Sequence, residues 1–414
     1  MMQDQVTTTQ RFVLGLQHTM AMFGATVLVP LTTGLHPSVA LLTAGLGTLL
    51  FHWITKGKVP VFLGSSFAYI AVIQVVGARE GLEYATGGLI AAGLVYLILA
   101  GLVMAFGVDR VKSFFPPVVA GPMIMVIGLT LAPTAIQMAQ THWGVAAITL
   151  AAVLLTSIFA KGFMKLVPVL TGVVVGFGAS LAFGLVDLTA VREAAWFAMP
   201  PLMFPKFSLS AITTIAPLAL VTMVEHIGDI TTNGAVIGKD LIRDPGLHRT
   251  LMGDGLATAL AGLLGGPANT TYSENTGVLA MTKVYDPSII RIAACYAILM
   301  AFVGKLGALL QSLPTPVMGG ISIVLFGMIC SVGVRQMVDA RVDLSNSRNL
   351  VIAALILVMG LGGASIQITP TLSLQGMALA ALVGIILNKL LPERLGGSTA
   401  EEAAEGQTVL STGD

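Results

Sequence analysis

Long apolar runs recur along this chain from Phe12 to Leu391, separated by short charged, Pro-rich or Gly-rich breaks. A helix crossing the hydrocarbon core of a bilayer needs about 20 apolar residues. Splitting the chain at its breaks gives fourteen candidate spans, at residues 12–33, 38–55, 59–77, 84–107, 114–133, 143–160, 165–186, 208–234, 247–264, 267–282, 287–308, 314–334, 348–364 and 373–391. The third and tenth are short and interrupted by glycine and polar residues. The first run has no small-residue cleavage motif after it, so it reads as a retained helix and not a signal peptide.

Charge placement tests that count, because Lys and Arg accumulate on the cytoplasmic side of membrane proteins. With the N-terminus inside, 17 of the 21 Lys and Arg fall on one side, and only Arg79, Arg192, Lys206 and Lys305 on the other. A wrong number of spans would scramble this alternation. The expectation is therefore an all-α polytopic membrane protein with fourteen spans and both ends cytoplasmic. Composition agrees: 55% of residues are hydrophobic and 10% charged, with mean hydropathy +0.90, against about 25% charged in a soluble domain. The net charge of +1 carries no message about partners, since the charges sit in loops.

The chain also repeats itself. "AGLGTLL" (Ala44–Leu50) in the second span resembles "DGLATAL" (Asp254–Leu260) in the ninth, and "PVVAGPMIMVIGL" (Pro117–Leu129) in the fifth resembles "PVMGGISIVLFGM" (Pro316–Met328) in the twelfth. Both pairs lie seven spans apart. Seven is odd, so the second half enters the membrane upside down, as in secondary transporters built from inverted repeats. Short β-compatible stretches open the corresponding third and tenth spans, "VPVFLGSSFAYIAV" and "GPANTTYSENTGVLAM". Non-helical backbone at membrane depth is tolerated where protein or a water-filled cavity covers it. Two such segments would aim half-helix N-termini at one spot, with Ser66, Phe67, Ser273 and Glu274 where the half-helices begin.

A carboxylate near the bilayer centre costs roughly 2.5–3.5 kcal/mol on insertion scales and marks a functional site by default. Glu274 is one candidate. Glu225 and Asp229 in "LVTMVEHIGDITT" are two more, four residues apart and so on one helix face. His226 points about 100° from Glu225 and reads as a packed residue. Asp254, between Gly253 and Gly255, either reaches the same cavity or caps a helix start, and His18 is the remaining buried ionisable candidate. Cys295 and Cys330 lie inside apolar runs and read as packing residues, as do the scattered methionines. The tail, residues 393–414, reads as disordered. No Walker loop, HExxH, nucleophile elbow or Cys/His cluster is present, so an ATP-driven pump or a membrane hydrolase has no visible machinery. No cofactor, metal or nucleic-acid partner is expected.

At these residues the sequence resembles the nucleobase–ascorbate transporter family, on its uracil-carrying branch. The likeness is carried by "QHTMAMFGATVLVP" in the first span, "LGSSFAYI" in the third, "VEHIGDI" in the eighth, the loop "KDLIRDPGLHR", and "NTTYSENTGVLAMTKVY". The last matches the family signature at Glu274, Asn275, Gly277, Thr282 and Lys283. The resemblance implies a homodimer that imports uracil with protons across the bacterial inner membrane. It also implies a core domain of residues 1–107 and 207–310 and a gate domain of residues 108–206 and 311–392. By position, Glu225 and Glu274 match carboxylates that hold the pyrimidine. Phe67 and Ser273 match backbone donors to its carbonyls, Tyr272 a pocket wall, and Ala25 a lining position. Proton coupling falls to Glu225, Asp229, Glu274 and His18, driven by the proton gradient alone.

Two positions depart from that branch: Asp229 stands where some members have histidine, and Ser273 where they have glycine. Uracil offers two N–H donors and two carbonyl acceptors, which carboxylates and free backbone amides complement. The rival readings are a purine or xanthine symporter on the same scaffold, a passive facilitator, and an anion carrier, for which a pair of glutamates would repel the ligand.

Overall fold

The computed structural model describes residues 6–369 and 372–392; the tail expected to be disordered lies outside them. The chain is mostly helical. In the first half run α1 (Thr8–Thr33), α2 (Pro37–Ile54), strand β1 (Leu63–Ser65), α3 (Ile70–Arg79), α4 (Leu82–Phe106), α5 (Pro117–Gln140), α6 (Trp143–Phe159) and α7 (Pro168–Ala182). In the second half follow α8 (Ala219–Ile237), α9 (Leu247–Leu264), strand β2 (Asn269–Thr271), α10 (Ser273–Thr282), α11 (Pro287–Ala301), α12 (Thr315–Asp339), α13 (Ser347–Leu361), strands β3 (Ser365–Thr369) and β4 (Leu372–Gln375), and α14 (Gly376–Leu390). Among the described residues, six helices are long and apolar enough to cross a membrane by length and composition. Lipid-ready exteriors include Ile98 and Met104 on α4 and, on shorter apolar helices, Phe159 of α6 and Val358 of α13, all more than 60% exposed. The protein is an integral membrane protein.

Three expected helices differ in outline, each for a local reason. The eighth apolar run is not one rod: Leu209–Ile215 is followed by a 3-10 turn, Ala216–Leu218, before α8 begins. Pro217 lacks the N–H that would continue the ladder. The eleventh run ends at Ala301, and a second short helix, Gly304–Gln311, follows. Between them the backbone is drawn aside by Ala198 N donating to Phe302 O (3.0 Å) and Gly304 N to Trp196 O (3.1 Å). The last run starts with a β3–β4 hairpin, so α14 begins at Gly376.

The largest helix contacts are pairwise. α2 lies against α9 and α11, α4 against α9, and α1 against α11; α5 lies against α12 and α13, α6 against α7 and α12, and α13 against α14. Close approach of α4 and α9 depends on Gly93 and Gly255. A Cβ on Gly93 would sit 2.5 Å from the Gly255 carbonyl, and small residues are what let membrane helices meet backbone to backbone.

β1 and β2 pair antiparallel at the centre, Leu63 opposite Thr271, Gly64 opposite Thr270 and Ser65 opposite Asn269. All six residues are buried, so every backbone polar group there needs a partner. The repeated helix segments supply two of them. Thr48 of α2 accepts from Leu63 N (2.9 Å) and donates to Leu63 O (3.3 Å). Thr258 of α9 accepts from Asn269 N (3.2 Å) and donates to Asn269 O (2.9 Å). These threonines occupy the same place in "AGLGTLL" and "DGLATAL", and each binds both polar groups of the first residue of its strand. Thr258→Val keeps the shape and strips both bonds, leaving two buried backbone groups unpaired. The expected cost is about 1–3 kcal/mol, read as a lower unfolding temperature of the purified protein; Thr48→Val should behave alike.

Candidate functional site

Each short strand delivers the chain to the start of a helical segment. Ser66 is extended and precedes the 3-10 turn Phe67–Tyr69, which leads into α3; Tyr272 is extended and precedes α10. Neither start has a side-chain cap, so the first backbone N–H groups are left for water or a ligand. Helix α10 is short because Lys283 turns left-handed (φ +56°), its N–H returning to Leu279 O at 2.8 Å.

Tyr272 fixes this crossing. Its O–H donates to Ser65 O (2.9 Å), and Ser65 Oγ donates to Thr26 O (2.9 Å), tying both strands to α1. Gly64 is required beneath the ring, since a Cβ there would collide with it. Ala25, 2% exposed, packs in the same apolar cluster as Tyr272, Met22 and Phe62. Phe67 is half-buried, its ring edge-on to Phe326 of α12 with centroids 6.2 Å apart.

Glu225 and Asp229 project from α8 and Glu274 from the first turn of α10, where the helix N-terminus favours an anion. All three are half-buried, and Ser273 beside them is exposed, although these elements lie in the interior of the molecule. Their accessible surface faces open space beside these elements. Asp229 accepts from Ser273 Oγ (2.5 Å) and Thr271 Oγ1 (2.8 Å). The two positions that departed from the family pattern, Asp229 and Ser273, thus touch one another. Neither α8 nor α10 carries Lys or Arg, so neither helix supplies a counter-charge to these carboxyl groups.

The two histidines sit differently. His18 on α1 is 1% exposed, and Asn275 Nδ2 meets its Nδ1 at 3.1 Å and its carbonyl at 3.0 Å; its partner is an amide and not one of the carboxylates. His226 is fully buried, with Nδ1 3.1 Å from Asp254 Oδ2. Asp254 lies in the middle of α9, so it caps no helix start; it is the partner of His226. Sequence reasoning missed that pairing and the part played by Thr271. The second was signalled by strand period, since Thr271 and Ser273 fall on one face of the "NTTYS" stretch. A cleft of about 760 Å³ runs between residues 108–112 and the C-terminal half of α8, its wall beginning at Ile230 and Thr231, next to Asp229.

A profile of the xanthine and uracil permeases, described as a permease family, matches residues 9–369. The chain belongs to the nucleobase–ascorbate transporter family. This permease is 50% identical over 407 residues to the uracil permease of Bacillus caldolyticus, covering 95% of this chain and 94% of that one. It is 46% identical over 398 residues to the uracil permease of Bacillus subtilis (strain 168), covering 91% and 92%. In fold it is similar to the transmembrane domain of the cyanobacterial bicarbonate transporter BicA, with TM-score 0.65 and 16% identity over 92% of this chain and 96% of that one. It is also similar to SLC26A9, with TM-score 0.70 and 12% identity over 92% and 64%. The permease is a transporter, not an enzyme.

Proposed function

We propose that this permease imports uracil together with protons by alternating access. The observation that carries the reading is the set of partly accessible carboxyl groups, Glu225 on α8 and Glu274 in the first turn of α10, together with the uncapped helical starts at Phe67 and Ser273 that the paired strands β1 and β2 bring side by side. Uracil is planar and neutral, with two N–H donors and two carbonyl acceptors. Carboxylates accept from the first and free backbone amides donate to the second. Relatives named uracil permeases support the choice of pyrimidine. The anion-transporter reading draws only on fold, and fold does not fix function. Clustered carboxyl groups disfavour an anion.

In this reading the chain crosses the bacterial inner membrane fourteen times as two inverted sevens, with both termini cytoplasmic. Residues 1–107 and 207–310 form the core, residues 108–206 and 311–392 the gate, and two copies form a dimer, as the family resemblance implies. The matched tasks of Thr48 and Thr258 support the inverted repeat. So do the contacts of α2 with α11 and of α4 with α9, which exchange under a seven-span shift. The cleft whose wall starts at Ile230, one residue past Asp229, reaches Lys239 and Arg243, which supports an opening toward the cytoplasmic, basic side.

Proteoliposomes test this. Labelled uracil should accumulate when the outside is acidic, and a protonophore should abolish the accumulation. Equilibration without a gradient would make the protein a facilitator. Strong competition by xanthine or adenine would move the substrate to a purine.

A further inference from the structure

Asp229 has both oxygens engaged, Oδ1 by Ser273 Oγ at 2.5 Å and Oδ2 by Thr271 Oγ1 at 2.8 Å. A hydroxyl has one proton to give and lone pairs to receive with, whereas an ionised carboxylate only accepts. While Asp229 is ionised, the single Ser273 proton is committed to it, and Ser273 Oγ presents the open space beside it with lone pairs alone. A protonated Asp229 reverses the bond: its O–H donates to Ser273 Oγ, and the serine proton is released to turn outward. The two hydroxyls are not equivalent. Thr271 is 2% exposed and held in β2, so its proton has nowhere else to go and it anchors Oδ2; Ser273 is exposed and adjoins Glu274.

We propose that Asp229 and Ser273 form a proton-driven relay, in which protonation of Asp229 converts the Ser273 hydroxyl from a donor to Asp229 into a donor to a carbonyl oxygen of the substrate. Proton and substrate then bind cooperatively, and by linkage each tightens the other. The relay rests on the uracil reading for its carbonyl acceptor. No atom is lost: the proton entering at Oδ1 stays there, and only the direction of one hydrogen bond changes. Thr271 is a positioning residue in this scheme.

Other groups around Asp229 also titrate. Glu225 shares its helix, Glu274 stands on α10, His226 with Asp254 lies between α8 and α9, and the first turn of α9 carries His248 and Arg249. Of the elements packed against α8, α4 carries Glu83, Tyr84 and Tyr96, α14 carries Lys389, and the turn after α8 carries Arg243 and Asp244; α5 and β2 carry none. The experiment therefore reads differences between variants and not the absolute pH profile.

Uracil binding to the full-length purified protein is measured by calorimetry at acidic and alkaline pH, in two buffers of unlike ionisation enthalpy so that proton uptake is counted. Between those pH values, wild type should gain roughly three- to tenfold more affinity than Ser273→Ala, the worth of one donated hydrogen bond. Ser273→Ala should also take up fewer protons per uracil. Asp229→Asn carries an amide N–H that can donate to Ser273 Oγ at every pH, so it should bind uracil without this step of pH dependence. Equal pH dependence and equal proton uptake in wild type and Ser273→Ala would overturn the relay while leaving uracil as the substrate. Failure of wild type to bind uracil at any pH would instead overturn the substrate reading, and the relay with it.

Discussion

Replacing Glu274 by Gln should weaken uracil binding by roughly tenfold to over a hundredfold while leaving the protein folded. The change keeps the length of the side chain and one acceptor oxygen, but sets an NH₂ donor where the proposed clamp needs an acceptor for a ring N–H. A badly paired buried polar group costs about 1–3 kcal/mol, and each 1.4 kcal/mol is tenfold in affinity. The fold should tolerate it. Glu274 is half-buried in the first turn of α10, and loss of its charge at a helix N-terminus removes only about 0.3–1 kcal/mol. The two numbers separate the outcomes: binding falls far more than stability. Calorimetry and thermal unfolding on one preparation decide it, and wild-type affinity in the variant would remove Glu274 from the clamp.

The difference between what was legible in the chain and what was not follows the range of the physics. The helical segments were legible because a bilayer demands long apolar runs, and α9 begins and ends where the hydropathy pattern puts it. The central strands were legible too, since Gly, Pro and β-compatible residues interrupt "LGSSF" and "NTTYS" at matching places. The "AGLGTLL" and "DGLATAL" likeness carried more than was apparent. Its shared threonine holds the first residue of each strand, a task that only the folded crossing displays. The β3–β4 hairpin did carry a signal, the alternation of Ile366, Ile368, Leu372 and Leu374 with Ser, Gln and Thr, but a division of the chain into long apolar runs passes over so short a period-2 pattern. The contact between Asp229 and Ser273 was not legible. They lie 44 residues apart on different elements, and each could be marked as unusual in isolation without any sign that one answers the other.

The same limit hid the pair that should dominate stability. His226 and Asp254 are both fully buried, 3.1 Å apart, between α8 and α9. Tyr69 O–H and Thr222 Oγ1 lie 3.2 Å apart on the neighbouring turn of α8. The approach is an ion-pair contact and not an aligned hydrogen bond, and each side chain is the other's electrostatic compensation in a fully buried place. Removing one member of such a pair costs about 3–5 kcal/mol, because a buried polar or charged group is left unanswered. His226→Leu should therefore unfold the permease at a markedly lower temperature, well beyond the effect of Thr258→Val. Asp254→Asn keeps an acceptor and adds a donor for a neutral imidazole, so it should cost only about 1 kcal/mol. The double variant His226→Leu with Asp254→Asn should be more stable than His226→Leu alone, since the group left without its partner can no longer be charged. Unfolding temperatures in one detergent give all three comparisons. A His226→Leu protein as stable as wild type would mean that the buried aspartate is served by something other than this histidine.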